Sequence, residues 1–220
     1  NTFIDNANSD MTWAAIHDND GTATGAGSAD AGVSDGFGFC GMSGSATSGR
    51  WDGMWRGNFL FDTSTIPDGD TIDSATLSIA NSIATADQGR GNVAVVTSSN
   101  PASNTALVAT DYNDYGTVAF SGTITIANWK TNGTYNDFTL NSSGLTAISK
   151  TGISKFGGRF DSDRSNTEPS WINSSSDKCG AIYAETGGTP PTTQDPKLVV
   201  VHSAVVAGLN PRRMMTGLGM

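Results

Sequence analysis

The sequence predicts an all-β protein, a sandwich or barrel of short antiparallel strands with one or two short crossover helices. Three observations carry that expectation. From residue 54 onward, apolar and polar residues alternate in short runs bounded by Gly, Pro, Asn, Asp or Ser, the pattern of half-buried strands separated by turns. Small polar residues dominate, with 25 Ser, 27 Thr, 17 Asn and 27 Gly. Glu occurs only at Glu168 and Glu185, so a long amphipathic helix has little to be built from.

The elements follow in chain order. Residues 18–50 are rich in Gly, Ser, Ala and Asp, with Val33, Phe37, Phe39 and Met42 as the sizeable apolar anchors. They read as loops around one weak strand near Phe37–Met42. Phe59 and Phe61 share a strand face. Asp62 or Thr63 then caps a short turn that drops Ile66 into the core, Pro67 ends it, and Asp68-Gly69 turns the chain. Ala75, Leu77 and Ile79 mark the next strand, and Val93 and Val95 another. Asn104–Tyr115 carries Leu107, Val108, Tyr112 and Tyr115 at helical spacings and is the first crossover piece. Thr123 and Thr125 alternate with Ile124 and Ile126, and Phe138 and Leu140 flank Thr139. Ser143–Lys150 is the second helical piece, with Ser143 as its N-cap. Phe156 and Phe160 share a face through Gly158, Ile182 and Ala184 share another, and Leu198, Val200 and His202 alternate along the last strand. One domain over residues 1–205, loop-rich in 1–50, is followed by a C-terminal arm, 206–220.

Charge and composition exclude several functions. Twelve Lys and Arg stand against 21 Asp and Glu, a net charge of −9, which repels phosphate backbones and argues against nucleic-acid binding. No apolar stretch approaches the roughly 18 residues of a membrane span. Cys40 and Cys179 are the only cysteines. They make no CxxC zinc motif, and two readings stay open: one disulfide or two buried thiols.

Chemistry-bearing residues are few. The histidines are His17 and His202, the latter in strand alternation as a core or edge residue. No G-x-S-x-G elbow occurs and no carboxylate pair stands out, so no catalytic residue is assigned and no enzyme activity is expected. Asp18-Asn-Asp20-Gly21 opens like an oxygen-ligand loop, making Asp18 and Asp20 the calcium candidates against plain turn chemistry. Asp161-Ser-Asp163 is a second short acidic cluster, with Arg164 beside it as an ion-pair partner. Carbohydrate recognition needs exposed aromatic faces among polar groups. Among Trp51, Trp55, Trp129 and Trp171, the polar surroundings of Trp51 and Trp171 make those two the glycan candidates, against loop anchoring or core packing. The arm concentrates Met214, Met215 and Met220 with the pair Arg212–Arg213. Leu209, Arg212, Arg213, Met214, Met215 and Leu218 are its candidate contacts with an acidic, apolar-pitted partner.

The stretch from Arg56 to Ile79, in which an Arg precedes an apolar strand ending in Phe-Asp, then a turn ending in Ile-Pro, then a Ser-Ala-Thr-Leu strand, resembles the signature of DNRLRE-type β-sandwich modules. Asp195–Val201 is similar to their last strand. Ser99–Val108 and Ala147–Gly158 resemble segments of phage and environmental surface proteins that carry this sandwich. The likeness covers roughly residues 50–203. It implies a jelly-roll-like sandwich on a virion surface or in an extracellular protein, some relatives of which bind polysaccharide. The expectation is a non-enzymatic structural or adhesion protein whose partners are copies of itself or other proteins of the same assembly. The alternative is a carbohydrate-binding module of a secreted protein.

Overall fold

The computed structural model describes residues 2–6, 10–18, 38–81, 88–99, 102, 108–131, 133–182 and 194–205. Among them ten strands run in order: β1 (Thr2–Asn6), β2 (Gly38–Gly44), β3 (Trp51–Asp62), β4 (Thr71–Asn81), β5 (Asn92–Thr97), β6 (Ile124–Thr125), β7 (Thr134–Thr139), β8 (Ile153–Phe160), β9 (Ser176–Gly180) and β10 (Lys197–Ser203). Three short helices, α1 (Trp13–Asp18), α2 (Ser142–Thr146) and α3 (Asp161–Arg164), and 3₁₀ turns at Ala109–Asn113 and Ile126–Asn128 lie between them. Strand accounts for 45% and helix for 15% of the described residues, so the all-β class holds with more short helix than the two crossover pieces expected. The strands form a curled half-barrel in the order β6-β5-β8-β3-β2-β9, with β1 also paired to β3, and a second sheet in the order β10-β4-β7. Every pairing is antiparallel.

Partners in an antiparallel ladder share a face, and successive residues alternate between faces. Register therefore sorts the large sheet's side chains. Phe59 opposes Phe156 and Gly57 opposes Gly158 on one face, while Asn58 opposes Gly157 on the other. The first face joins Phe39, Val93 and Val95 to Leu77, Ile79 and Phe138 of the small sheet in one buried apolar cluster. Trp129 links the sheets, stacked on Phe39 at 5.7 Å and tilted on Phe138 at 6.0 Å, with its indole N–H donating to the Gly180 carbonyl at 3.1 Å. The second face carries Arg56, and among the described residues no sheet covers it: α1, the Ala109–Asn113 turn and α3 lie there.

Local chemistry explains the boundaries. Asp62 accepts from the backbone N–H and hydroxyl of Ser64 at 3.0 and 2.6 Å, closing β3, and Ile66 is buried as expected. The strand expected over Thr123–Ile126 stops at Thr125, because its hydroxyl caps the next 3₁₀ turn by accepting from Asn128 N–H at 3.2 Å. The expected helix at Ser143–Lys150 is α2, one residue earlier, capped by the Asn141 side chain and not by Ser143. Of Asn104–Tyr115, only the 3₁₀ turn Ala109–Asn113 is helical among the described residues. The weak strand near Phe37–Met42 is β2, held by ladders on both sides. Ala184 and Phe37 lie outside the described residues, and Ile182 follows β9, donating to the Ala80 carbonyl at 2.8 Å.

Cys40 and Cys179 stand opposite each other in the β2–β9 register, and both are buried free thiols. The disulfide reading is thus corrected to the other one. Burial pushes the Cys40 thiol well above its ordinary value, and Cys179 beside it adds to the shift, so the reactive thiolate is suppressed. Two backbone ladders, to β3 and β9, hold β2 in place.

Gly157 and Gly158 serve opposite faces at one point of β8. A Cβ on Gly157 would stand 2.4 Å from the Tyr115 ring, and one on Gly158 would stand 2.4 Å from the Phe39 ring. Aromatic rings therefore lie against both sides of the same strand. Gly158→Ala is expected to destabilise the fold by about 1–3 kcal/mol through overpacking. Gly69→Ala, where an added Cβ meets nothing within 4 Å, is expected to change it by less than about 0.5 kcal/mol. Chemical denaturation of the two variants checks this.

Candidate functional site

The densest polar constellation lies under the second face of the large sheet. Arg56 projects from β3, Arg159 from β8 and Asp163 from α3, and each is buried. Asp163 takes both guanidinium groups at once. Its Oδ1 accepts from Arg56 Nη2 at 2.6 Å and Arg159 Nη2 at 2.8 Å, and its Oδ2 from Arg56 Nε at 3.0 Å and Arg159 Nε at 2.8 Å. The i,i+4 spacing of Arg159 and Asp163 follows from α3 starting directly after β8.

Backbone carbonyls take the remaining donors. Arg56 donates to the Tyr112 carbonyl at 2.5 Å and the His17 carbonyl at 3.2 Å, and Arg159 to the Tyr115 and Gly116 carbonyls at 3.1 and 3.3 Å. The Arg56 guanidinium lies 3.9 Å from the centre of the Tyr112 ring. Tyr112 hydroxyl donates to the Ile16 carbonyl at 2.9 Å and Tyr115 hydroxyl to the Arg56 carbonyl at 3.1 Å. His17 closes the edge of the cluster, with Nε2 2.8 Å from the Asp163 carbonyl and Nδ1 paired to Asp18. Burial opposes the ionised form of Asp163, but Arg56 and Arg159 outweigh it and hold the carboxyl far below its ordinary range. Burial likewise opposes the charge on Arg56, and Asp163 more than offsets it, raising its pKa. Every nitrogen of both guanidinium groups has at least one acceptor inside the protein, so the arrangement fastens five chain segments.

A second buried ion pair joins Arg90 to Asp177 of β9. Asp177 also accepts from Gln88 N–H at 2.5 Å, and Arg90 donates to Ser175 hydroxyl at 2.8 Å. The guanidinium lies 5.6 Å from the Trp51 ring. Trp51, a glycan candidate weighed against core packing, is fully buried: it packs edge-on against Trp13 at 5.4 Å and donates to Glu168 at 2.9 Å. That corrects the first glycan candidate, because a wide apolar ring with an internal acceptor for its N–H is better kept from water. Trp171 is half-buried, its N–H donating to the Ser45 carbonyl at 3.2 Å. Trp51 and Trp171 do not form a shared exposed platform.

Asp18 is exposed and its carboxylate turns to His17, while Asp20 lies outside the described residues. Among the described residues no three His, Cys, Asp or Glu side chains are grouped to hold a metal ion. The Asp161-Ser-Asp163 cluster divides. Arg164 pairs with Asp161 at 3.1 Å, as the sequence led one to expect of that neighbourhood, but Asp163 turns inward to the other two arginines. His202 sits on the edge strand β10, 2.7 Å from Asp70. The arm residues Leu209, Arg212, Arg213, Met214, Met215 and Leu218 lie outside the described residues.

No protein-family model matches this chain, and a comparison with curated proteins finds no match. The physical reading of the cluster therefore stands on its own geometry.

Removing one partner of a buried ion pair leaves the other charge uncompensated. Asp163→Asn is expected to cost about 3–5 kcal/mol of folding stability. Arg164→Ala, which breaks a part-exposed pair, is expected to cost only about 0–1 kcal/mol. Because the folded-state pKa of Asp163 is lowered, its contribution is complete above its unfolded value near 4 and is lost as pH falls through the folded value. Denaturation midpoints of the wild type are therefore expected to drop below pH ~4, and Asp163→Asn to lose that part of the acid dependence.

Proposed function

We propose that this protein is a non-enzymatic structural protein of a virion surface or extracellular assembly, acting by self-association or attachment. Its two sheets would be the halves of a jelly-roll-like sandwich of the DNRLRE type, complete by residue 205. The observation that carries the reading is where the protein keeps its reactive and its apolar groups. Arg56, Arg159 and Asp163 are engaged with one another inside, whereas half of the exposed large apolar side chains among the described residues lie in or just after β10. Of the six large hydrophobics most exposed among the described residues, Val199, Val201 and Val205 belong to β10 and the residues just after it. That strand leads directly into the Met- and Arg-bearing segment 206–220. An acidic chain that presents valines followed by a Met- and Arg-bearing segment fits protein contact more than a small polar ligand. A glycan-binding role keeps Trp171 as its one remaining sequence candidate and loses Trp51.

Deleting Val206–Met220 tests the reading. Light scattering on the full chain is expected to show concentration-dependent assembly, and the truncated chain, with circular dichroism unchanged, is expected to assemble more weakly. Assembly of equal strength in both would remove the arm from the mechanism. A monomeric full chain at every concentration would remove self-association.

A further inference from the structure

Strand β10 is an edge of the small sheet, paired with β4 alone among the described residues. Natural edges are normally blunted by an inward charge, a lysine, a proline or a bulge within the strand. Here Lys197 and His202 stand near the two ends, and the centre reads Leu198-Val-Val-Val201. Val199 and Val201 are each 53% exposed, and even Leu198 and Val200, which face the core, are only half-buried. The core is thus left thinly covered along this edge. The strand also carries no acid in a chain of net charge −9, whereas the opposite edge, β7, carries Asp137.

We infer that the β10 edge is a docking site for β10 of a second copy, the two strands pairing antiparallel about a two-fold axis at Val200. This rests on the self-association reading and names the surface it uses. Antiparallel strands are self-complementary under such an axis. Val200 then meets its own copy, Val199 meets Val201, and Lys197 meets Ser203. Charge decides in favour of this occupant. A bulge in β4, opposite the step from Val201 to His202, leaves Asp73 without a cross-strand partner, and Ser203 hydroxyl donates to the Asp73 carboxylate at 3.1 Å. Asp73 is exposed. Lys197, exposed and held 4.0 Å from the Tyr135 ring centre, shares its outward strand face with Ser203. The two-fold therefore sets Lys197 of one strand opposite Ser203 of the other, whose hydroxyl holds Asp73, twice; the lysine swings from the Tyr135 ring to reach that carboxylate. The result is one continuous six-stranded sheet running through both copies. A seven-residue edge is shorter than the roughly 1,200 Å² of a stable interface requires, so the pairing is expected to be in concentration-dependent exchange unless further contacts reinforce it.

The test is sedimentation of the full chain at low salt, as wild type, Lys197→Asp, Asp73→Lys and the double exchange, up to millimolar-range concentration. Each single variant places like charges across the axis and is expected to weaken the dimer about tenfold, with the double variant restored to within about threefold of wild type. Circular dichroism of each variant verifies that the exposed changes leave the fold intact. A dimer of equal strength in all four would overturn the edge pairing and leave self-association through another surface standing. Weakening in the singles without recovery in the double would overturn the two-fold register. A monomeric wild type would overturn both, and protection of the 197–203 amides in that monomer would assign the edge to the chain's own remaining residues.

Discussion

One carboxylate, that of Asp163, holds two buried guanidinium groups, and much of the architecture is arranged around that constraint. Two cations and one anion leave an excess positive charge out of water, which is costly unless hydrogen bonds and ring faces absorb it. The protein meets the cost with carbonyls of His17, Tyr112, Tyr115 and Gly116 and with the Tyr112 ring. The six-residue α1, the four-residue α3 and the Ala109–Asn113 turn are too short to be stable alone. They are fixed on the second face of the large sheet by their bonds to the cluster together with the burial of Trp13, Ile16 and Tyr112 in the core.

That constraint also accounts for what was and was not legible in the sequence. Period-two alternation found β4, β5, β8 and β10 because their apolar residues face a cluster shared by the two sheets. The Phe156-Gly-Gly-Arg-Phe160 run carried the Gly158 signal but hid Arg159, since an arginine between glycine and phenylalanine reads as solvent-facing. The usable sign was the aspartate four residues on, which shares a helical turn with it. Arg56 was noticed as the head of a motif and not as a buried ion. The second face is lined by Arg56, Cys40, Met42 and Met54 with Gly157 beside them, a mixture with no apolar periodicity to detect. β9, of sequence Ser-Asp-Lys-Cys-Gly, is polar because Asp177 is neutralised by Arg90 inside the protein. Trp51 was misplaced for a related reason: its polar sequence neighbours are not its spatial neighbours, which are Trp13, Arg90 and Glu168.

The same distribution separates interior from surface roles. The buried charges are paired inside, Arg56 and Arg159 with Asp163 and Arg90 with Asp177, which favours one rigid arrangement. Apolar side chains that the interior does not use are gathered along β10, where backbone groups also lie unpaired among the described residues. Helix α1 is tied down by the cluster, while β10 keeps one edge unpaired among the described residues.

Native-state hydrogen exchange on the full chain at neutral pH tests the role of the cluster most directly. The amides of Ile16 in α1 and Ser165 at the end of α3 donate to the Thr12 and Asp161 carbonyls, outside any sheet ladder. If the Asp163 cluster binds these short segments to the sheet, both amides should open with the same free energy as the ladder amides of β3 and β8, as one cooperative unit. Exchange of Ile16 and Ser165 at much lower opening free energies, with β3 and β8 still protected, would contradict it.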